Sequence, residues 1–506
     1  MRSKPGHSVL GEQRASGLLL HVSSLPGAHG HGDLGREALE WLDFLADAGQ
    51  RYWQVLPIHP TGPGNSPYSG VSAFAGNPLF ISLDRLAGEG LLTKVELGKP
   101  LPQGHIQFAR ARKHRLPLLR MAFARYRDKP RPYTRELAAF RERARYWLDD
   151  YCLYMALKQR RPSQSWSDWE PALRSREKKA LSAARSELAE QIAYYEFEQL
   201  MFDRQWRALR EHASERAVQL IGDIPIFVAH DSSDVWAQQA CFQLDARGRP
   251  TSVSGVPPDY FSEDGQLWGT PLYDWRALKR QRYTFWVERI RALLDRFDLV
   301  RLDHFIGFER YWQIPATAKT AREGRWQRGP GRDLFDVATK TLGPLPFIAE
   351  DLGEMSPDVE QLRDQLGFPG MRVLQFGFGS DASNAFLPHN YLRSCVAYTG
   401  THDNNTMLGW LKDVASAGEL RKVREYLGSE REPSAEKLGA QLVRLLLSSV
   451  AQLTIVPVQD VLGMDDRARM NVPGQADDNW SFRVPRGALG KQLAKSLLQM
   501  TRVYGR

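Results

Sequence analysis

Eight short apolar runs constrain what this chain can fold into more than any other feature. They are GLLLHV (17–22), YWQVLPI (52–58), LIGDIPIFV (220–228), FDLVRLDHF (297–305), PFIAEDLG (346–353), MRVLQFGF (371–378), CVAYTGTHD (395–403) and LTIVPVQD (453–460). Runs apolar almost throughout belong to strands covered on both faces, and most are followed by segments of helical period such as DVEQLRDQLG. Eight such strands alternating with helices predict an α/β fold, a parallel (β/α)₈ TIM barrel. Six of the runs finish in or beside ionisable or amide groups: His21, Asp303, Glu350 with Asp351, Gln375, His402 with Asp403, and Gln459 with Asp460. In a closed parallel barrel these ends share one rim, where barrel enzymes carry their active sites.

The gap between the second and third runs is too long for a crossover. From about Pro100 to Ala217 it carries apolar residues at three- and four-residue spacing with charges between. The expected organisation is therefore residues 1–84 as the first part of the barrel, 85–217 as a mainly helical insertion and 218–506 as its remainder. Within the last part, 231–275 reads as an aromatic, loop-like insertion rich in Gly, Pro, Asp and Ser. Fewer than fifty residues follow the eighth run, too few for an added β-sandwich.

Composition narrows the function classes. With 42% hydrophobic residues the chain can bury a large core, and Lys plus Arg exceed Asp plus Glu by 68 to 59, a net +9. The densest basic stretch, Arg110 to Arg135, has no recognition motif around it and reads as a solvated helical face, so no nucleic-acid partner is expected. Three cysteines lie far apart without CxxC spacing, which fits a reducing compartment. The N-terminus has no apolar leader and no run of about 18 uncharged apolar residues occurs, so a soluble, cytoplasmic protein without membrane partners is expected. HGHGDLG (29–35) reads as a turn rather than a metal site, and no nucleotide, zinc or calcium motif is present, so neither metal nor cofactor is expected.

The chemistry is read from the rim. Arg301 and Asp303 are two apart on a strand and so face the same way. A guanidinium beside a carboxylate favours the ionised form that a nucleophile needs. Glu350 ends the next run, and Asp403 follows His402 two strands later. Two carboxyls about 5 to 5.5 Å apart form the arrangement of a retaining glycosidase, and a third can hold hydroxyls and stabilise the oxocarbenium-like transition state. Tyr68, Tyr260, Phe261, Gln266 and Trp268 offer aromatic platforms and an amide suited to sugars, whereas Phe74, Tyr273 and Trp275 read as packing residues. On the carboxylates alone, water or a sugar hydroxyl could resolve the intermediate, and a non-catalytic glucan-binding barrel stays open.

At these residues the chain resembles the 4-α-glucanotransferases called amylomaltases or disproportionating enzymes, glycoside hydrolase family 77, relatives of the α-amylases. The resemblance runs from about Gly17 to Arg483, through SLPGAHGHGDLG, SPYSGVSAFAGNP, GDIPIFVAHDSSDVW, GVPPDYFSEDGQLWG, RLDHFIGFERYW, IAEDLG, GFPGMRVLQFGF, GTHDNNT and ARMNVPG. It implies an α-amylase-type barrel, transfer between maltodextrins or other 1,4-α-glucans rather than hydrolysis, and no cofactor. It also implies Asp303 as nucleophile, Glu350 as acid/base and Asp403 as transition-state stabiliser. Arg301, His304 and His402 inherit sugar or site contacts, as do Tyr68, Gln266 and Trp268, with Tyr260 in a loop arching over the cleft. Asn471 and Pro473 border the donor side, and Asp223 matches a family position. The chain departs from the family pattern at Ile306, where a basic residue is common, in HVSSLPG for HPTSLPG, and in NWSFR for NWxWR.

Overall fold

A computed structural model describes residues 9–129, 131–258, 263–353, 356–429, 432–475 and 477–506. Twelve strands occur among them: β1 Ala15–Leu19, β2 Tyr52–Gln54, β3 Gln219–Pro225, β4 Ser252–Val256, β5 Gln266–Pro271, β6 Leu299–Asp303, β7 Arg310–Pro315, β8 Arg325–Arg328, β9 Phe347–Ala349, β10 Gly370–Val373, β11 Cys395–Tyr398 and β12 Leu453–Pro457. Eight of them, β1–β3, β6 and β9–β12, close into a barrel whose ladders are all parallel, with β12 returning to β1. The (β/α)₈ barrel expected from the apolar runs is present. Strands β1, β2, β9, β11 and β12 are buried along their whole length, as strands lined by helices outside and side chains inside must be. Across the interior Tyr398 of β11 donates to Gln54 Oε1 of β2 at 2.9 Å.

Each run carries one barrel strand, but the runs reach beyond the ladders. The chain leaves β6 through His304, whose φ of 55° is left-handed, and leaves β10 through the tight turn Leu374–Gly377. Glu350, His402 and Asp403 therefore stand in the rim just past β9 and β11 rather than inside strands.

Between β2 and β3 all described elements are helical, among them Phe108–Asp128, Leu148–Arg160 and the long Ala189–Glu215. The basic stretch 110–135 is not uniformly solvated. Arg115 is fully buried, donating to Asp33 Oδ2 (3.1 Å) and to the Ile81 carbonyl (2.6 Å), and Arg125 grips both oxygens of Glu96. This helix packs against the barrel loops, so part of its charge works as internal pairing.

Residues 231–275, read as loop, hold β4 and β5, which join β7 and β8 in an antiparallel sheet of order β5-β4-β7-β8. β5 is an exposed edge strand, and its QLWG sequence lacks the apolar pattern of a buried one. Beyond β12 the described residues form helices and loops without a strand, and no described helix is long and apolar enough to cross a membrane.

The loop leading from β2 carries Tyr68 and is fixed by two amides of the long helix. Gln199 accepts from the Gly76 N–H (2.8 Å) and donates to its carbonyl (2.9 Å), while Gln205 does the same at Ser82 (2.6 and 3.2 Å). Both side chains are buried. Gln199→Leu leaves a backbone donor and acceptor buried without partners and is expected to destabilise the fold by about 2–4 kcal/mol. Urea unfolding of the variant checks this, and an unchanged midpoint contradicts it.

Candidate active site

Register builds the centre of the site. In the β3–β6 ladder Asp223 pairs with Arg301 and Pro225 with Asp303, so the ladder sets a guanidinium beside a carboxylate. Arg301 Nη1 donates to both oxygens of Asp223 (3.0 and 2.8 Å), and Nη2 reaches Asp303 Oδ1 at 2.9 Å. The side chains of Arg301 and Asp223 are 5% and 0% exposed, whereas that of Asp303 is 26% exposed and opens onto the rim. Burial opposes the guanidinium charge, yet Asp223 and then Asp303 outweigh it and hold Arg301 well above its ordinary value. Asp223 also accepts a 2.6 Å bond from the Tyr68 hydroxyl.

Glu350, the first residue after β9, is clamped by backbone. His304 N–H donates to Oε2 at 2.6 Å and Leu352 N–H to Oε1 at 3.1 Å. Burial pushes its carboxyl up to about 8, Arg301 working against this and Asp303 with it. Two carboxyl groups thus meet at adjacent strand ends in different settings, Asp303 paired with a guanidinium and Glu350 desolvated. Such a pair is the chemical requirement for one group to attack while the other supplies a proton.

Asp403 is oriented from three sides. Asn471 Nδ2 donates to Oδ1 at 2.6 Å, His402 Nε2 lies 3.2 Å from the same oxygen, and Arg469 donates to the Asp403 carbonyl at 2.6 Å. The His402 ring stacks on Tyr68 with centroids 5.0 Å apart, and Trp480 lies 5.9 Å from both rings. Beside His402 a cavity of about 30 Å³ is lined by His21, Asn404 and Gln459, enough for one or two waters. Burial, with His402 adding, depresses His21 to about 3, so it faces this cavity uncharged.

Trp268, on β5, is 38% exposed, donates to Gln266 Oε1 (3.1 Å) and meets the His304 ring edge-on at 4.8 Å. Tyr68, Asp223, Arg301, Asp303, His304, Glu350, His402, Asp403 and Asn471 are thereby joined through direct contacts, and Gln266 with Trp268 through the His304 ring. Pro473 lies in an exposed turn two residues past Asn471. Tyr260 and Phe261 lie outside the described residues. Phe74 and Tyr273 are buried packing residues, as read. His29 and His31 turn apart, the first toward Asp84 and His114, the second to the Gly32 carbonyl, and among the described residues no three His, Cys, Asp or Glu side chains are placed to hold a metal ion. Arg469 and Trp480 were not among the residues expected at the site. They lie within ARMNVPG and NW, but nothing in residue type or spacing marks them there.

Comparison with known proteins gives the family. A family profile described as 4-alpha-glucanotransferase, glycoside hydrolase family 77, matches residues 20–489. The chain is 49% identical to a 4-alpha-glucanotransferase of Thermus thermophilus over 96% of this chain and 98% of the other. It is 42% identical to a chloroplastic/amyloplastic 4-alpha-glucanotransferase of Arabidopsis thaliana over 98% and 86%. Among solved structures, an amylomaltase from Streptococcus agalactiae in complex with acarbose superposes with a TM-score of 0.93 at 37% identity, covering 98% of this chain and all of that one. The chain belongs to glycoside hydrolase family 77, the 4-alpha-glucanotransferases.

Proposed function

We propose that the chain transfers a segment of a 1,4-α-glucan to the 4-hydroxyl of an acceptor glucan or glucose by double displacement at Asp303. The observation that carries this reading is the pair formed by Arg301-bound Asp303 and desolvated Glu350 at neighbouring strand ends. In the first step an Asp303 oxygen bonds to the anomeric carbon while the glycosidic C–O bond breaks, and Glu350 gives its proton to the departing 4-oxygen. In the second, Glu350 takes the proton from an acceptor 4-hydroxyl, which attacks the anomeric carbon and releases the Asp303 carboxylate. Asp403, fixed by Asn471 and His402, holds sugar hydroxyls and stabilises the positive charge that grows on the ring. Tyr68, Asp223, Arg301, His304 and His402 line the cleaved sugar's subsite, and Asn471 and Pro473 border the donor side.

Transfer rather than hydrolysis requires an acceptor sugar to outcompete water. Exposed Trp268, with Gln266 beside it, supports stacking of a glucan at the mouth of the site. A bound 4-hydroxyl then stands next to the anomeric carbon at high effective concentration. The acarbose in the S. agalactiae complex is consistent with an α-glucan cleft of this kind.

Incubation with maltotriose is expected to give free glucose and a ladder of longer maltodextrins. New reducing ends without longer products would identify a hydrolase instead. Glu350→Gln is expected to lower this activity by roughly 10²–10⁴-fold while binding of maltodextrin persists, and Asp303→Asn to abolish it. Retention of near-full turnover in either variant contradicts the assignment.

Activity depends on pH through Glu350. Glu350 must start protonated, and its carboxyl is raised to about 8, so the active form persists through neutrality and is lost as pH climbs past that value. Initial rates at low maltotriose are expected to fall on the alkaline side with a midpoint near 8. A profile flat well above 9, in a protein that remains folded, contradicts this role.

A further inference from the structure

We propose that His304 is a positioning residue that ties the aromatic wall to the proton-transferring group: its left-handed backbone aims its amide at Glu350 while its ring braces Trp268. The inference rests on the reading of Glu350 as acid/base.

The geometry around this residue is specific. A non-glycine residue with φ of 55° sits in a sparsely populated region, and such conformations persist only where surrounding contacts enforce them. Here the turn ends the β6–β9 ladder in an unusual way. Glu350 N–H still donates to the Leu302 carbonyl at 3.0 Å, and Phe305 N–H donates to the Glu350 carbonyl at 3.1 Å. The intervening His304 N–H is rotated out of that pattern and meets the Glu350 side chain at 2.6 Å. An extended residue at 304 would continue the strand and aim its amide elsewhere.

The ring explains why the position carries a histidine and not the glycine that the backbone alone would favour. It meets Trp268 edge-on at 4.8 Å on one side, and on the other lies so close to Gly307 that a β-carbon there would come within 3.1 Å of Cδ2. The imidazole is thus held between the exposed edge strand β5 and the turn after β6. Burial, against the pull of Asp303, lowers it to about 4, so at neutral pH the ring is uncharged and acts by packing. Trp268 belongs to the small antiparallel sheet and Glu350 to the barrel, and His304 touches both. A sugar seated on Trp268 therefore bears on the residue that aims the acid/base.

Other groups also face Glu350: Leu352 N–H from its own loop, Arg301 and Asp303 from β6, and Tyr398 from β11. A substitution confined to His304 leaves these in place. Two measurements test the proposal. The first compares saturating maltotriose turnover in His304→Asn, Trp268→Ala and the double variant. If the ring transmits the position of Trp268, each single change lowers kcat by roughly tenfold and the double change lowers it no further. Losses that multiply overturn the link.

The second is the alkaline midpoint of the pH–rate profile. Asn tolerates the left-handed conformation and keeps the amide aimed, so His304→Asn leaves the midpoint within about 0.3 unit. The β-branched His304→Val cannot hold that conformation without strain. Loss of a hydrogen bond to the ionised carboxylate then raises the midpoint by roughly 0.5–1 unit. A midpoint in a folded His304→Val protein equal to that of the unsubstituted enzyme overturns the amide's role, and if that variant does not fold the turnover cycle decides alone. An unsubstituted enzyme with no alkaline limb would instead refute the assignment of Glu350 itself.

Discussion

The rest of the site depends on one guanidinium shared between two aspartates. A buried ion costs several kcal/mol in lost hydration unless its partners return that energy through close, well-aligned bonds. Arg301 achieves this by giving one terminal nitrogen to both oxygens of fully buried Asp223 and the other to Asp303. The buried aspartate anchors the cation, and the anchored cation fixes the more exposed Asp303 at the open rim. Because Asp223 also accepts from Tyr68, the same anchor extends to the β2 loop and, through ring stacking, to His402 and Asp403.

Parallel register makes this arrangement inexpensive in sequence terms. Neighbouring strands bring Asp223, Arg301 and Glu350 to one rim within a few residues of their ladders, so that short segments suffice to assemble groups far apart in the chain. The two carboxyls then diverge in character through their neighbours alone. Asp303 has the guanidinium at hydrogen-bond distance, whereas Glu350 receives two backbone amides in a desolvated niche. The left-handed turn at His304 supplies one of those amides, which links the conformation of a single loop residue to the proton chemistry proposed for its neighbour.

Much of this was legible in the residues. The eight barrel strands announced themselves because burial on both faces requires continuous apolar sequence, and the Arg301–Asp303 spacing of two places both on one side whatever surrounds them. Strand ends were not legible: β9 keeps only Phe347–Ala349 and β11 only Cys395–Tyr398, because neighbouring ladders decide where pairing stops. β4 and β5 were read as loop because an exposed edge strand needs no apolar pattern. Arg115 read as solvated because helical periodicity does not reveal that Asp33 and the Ile81 carbonyl wait on the packed side. The weight carried by Asp223 was hidden for a similar reason, since only cross-strand register sets it opposite Arg301. Arg469 and Trp480 gave no signal of their own, as their contacts to Asp403 and to the Tyr68–His402 stack join segments distant in sequence.

In the proposed mechanism a carboxylate held by Arg301 becomes covalently bonded to glucan. Mass spectrometry of the Glu350→Gln protein after exposure to α-maltotriosyl fluoride tests it most directly, because fluoride leaves without a proton donor while the second step is slowed. A maltotriosyl adduct on the peptide containing Asp303, cleared when a nucleophile that needs no base is added, is the predicted result. Turnover of the fluoride without any adduct, or an adduct on another side chain, would contradict it.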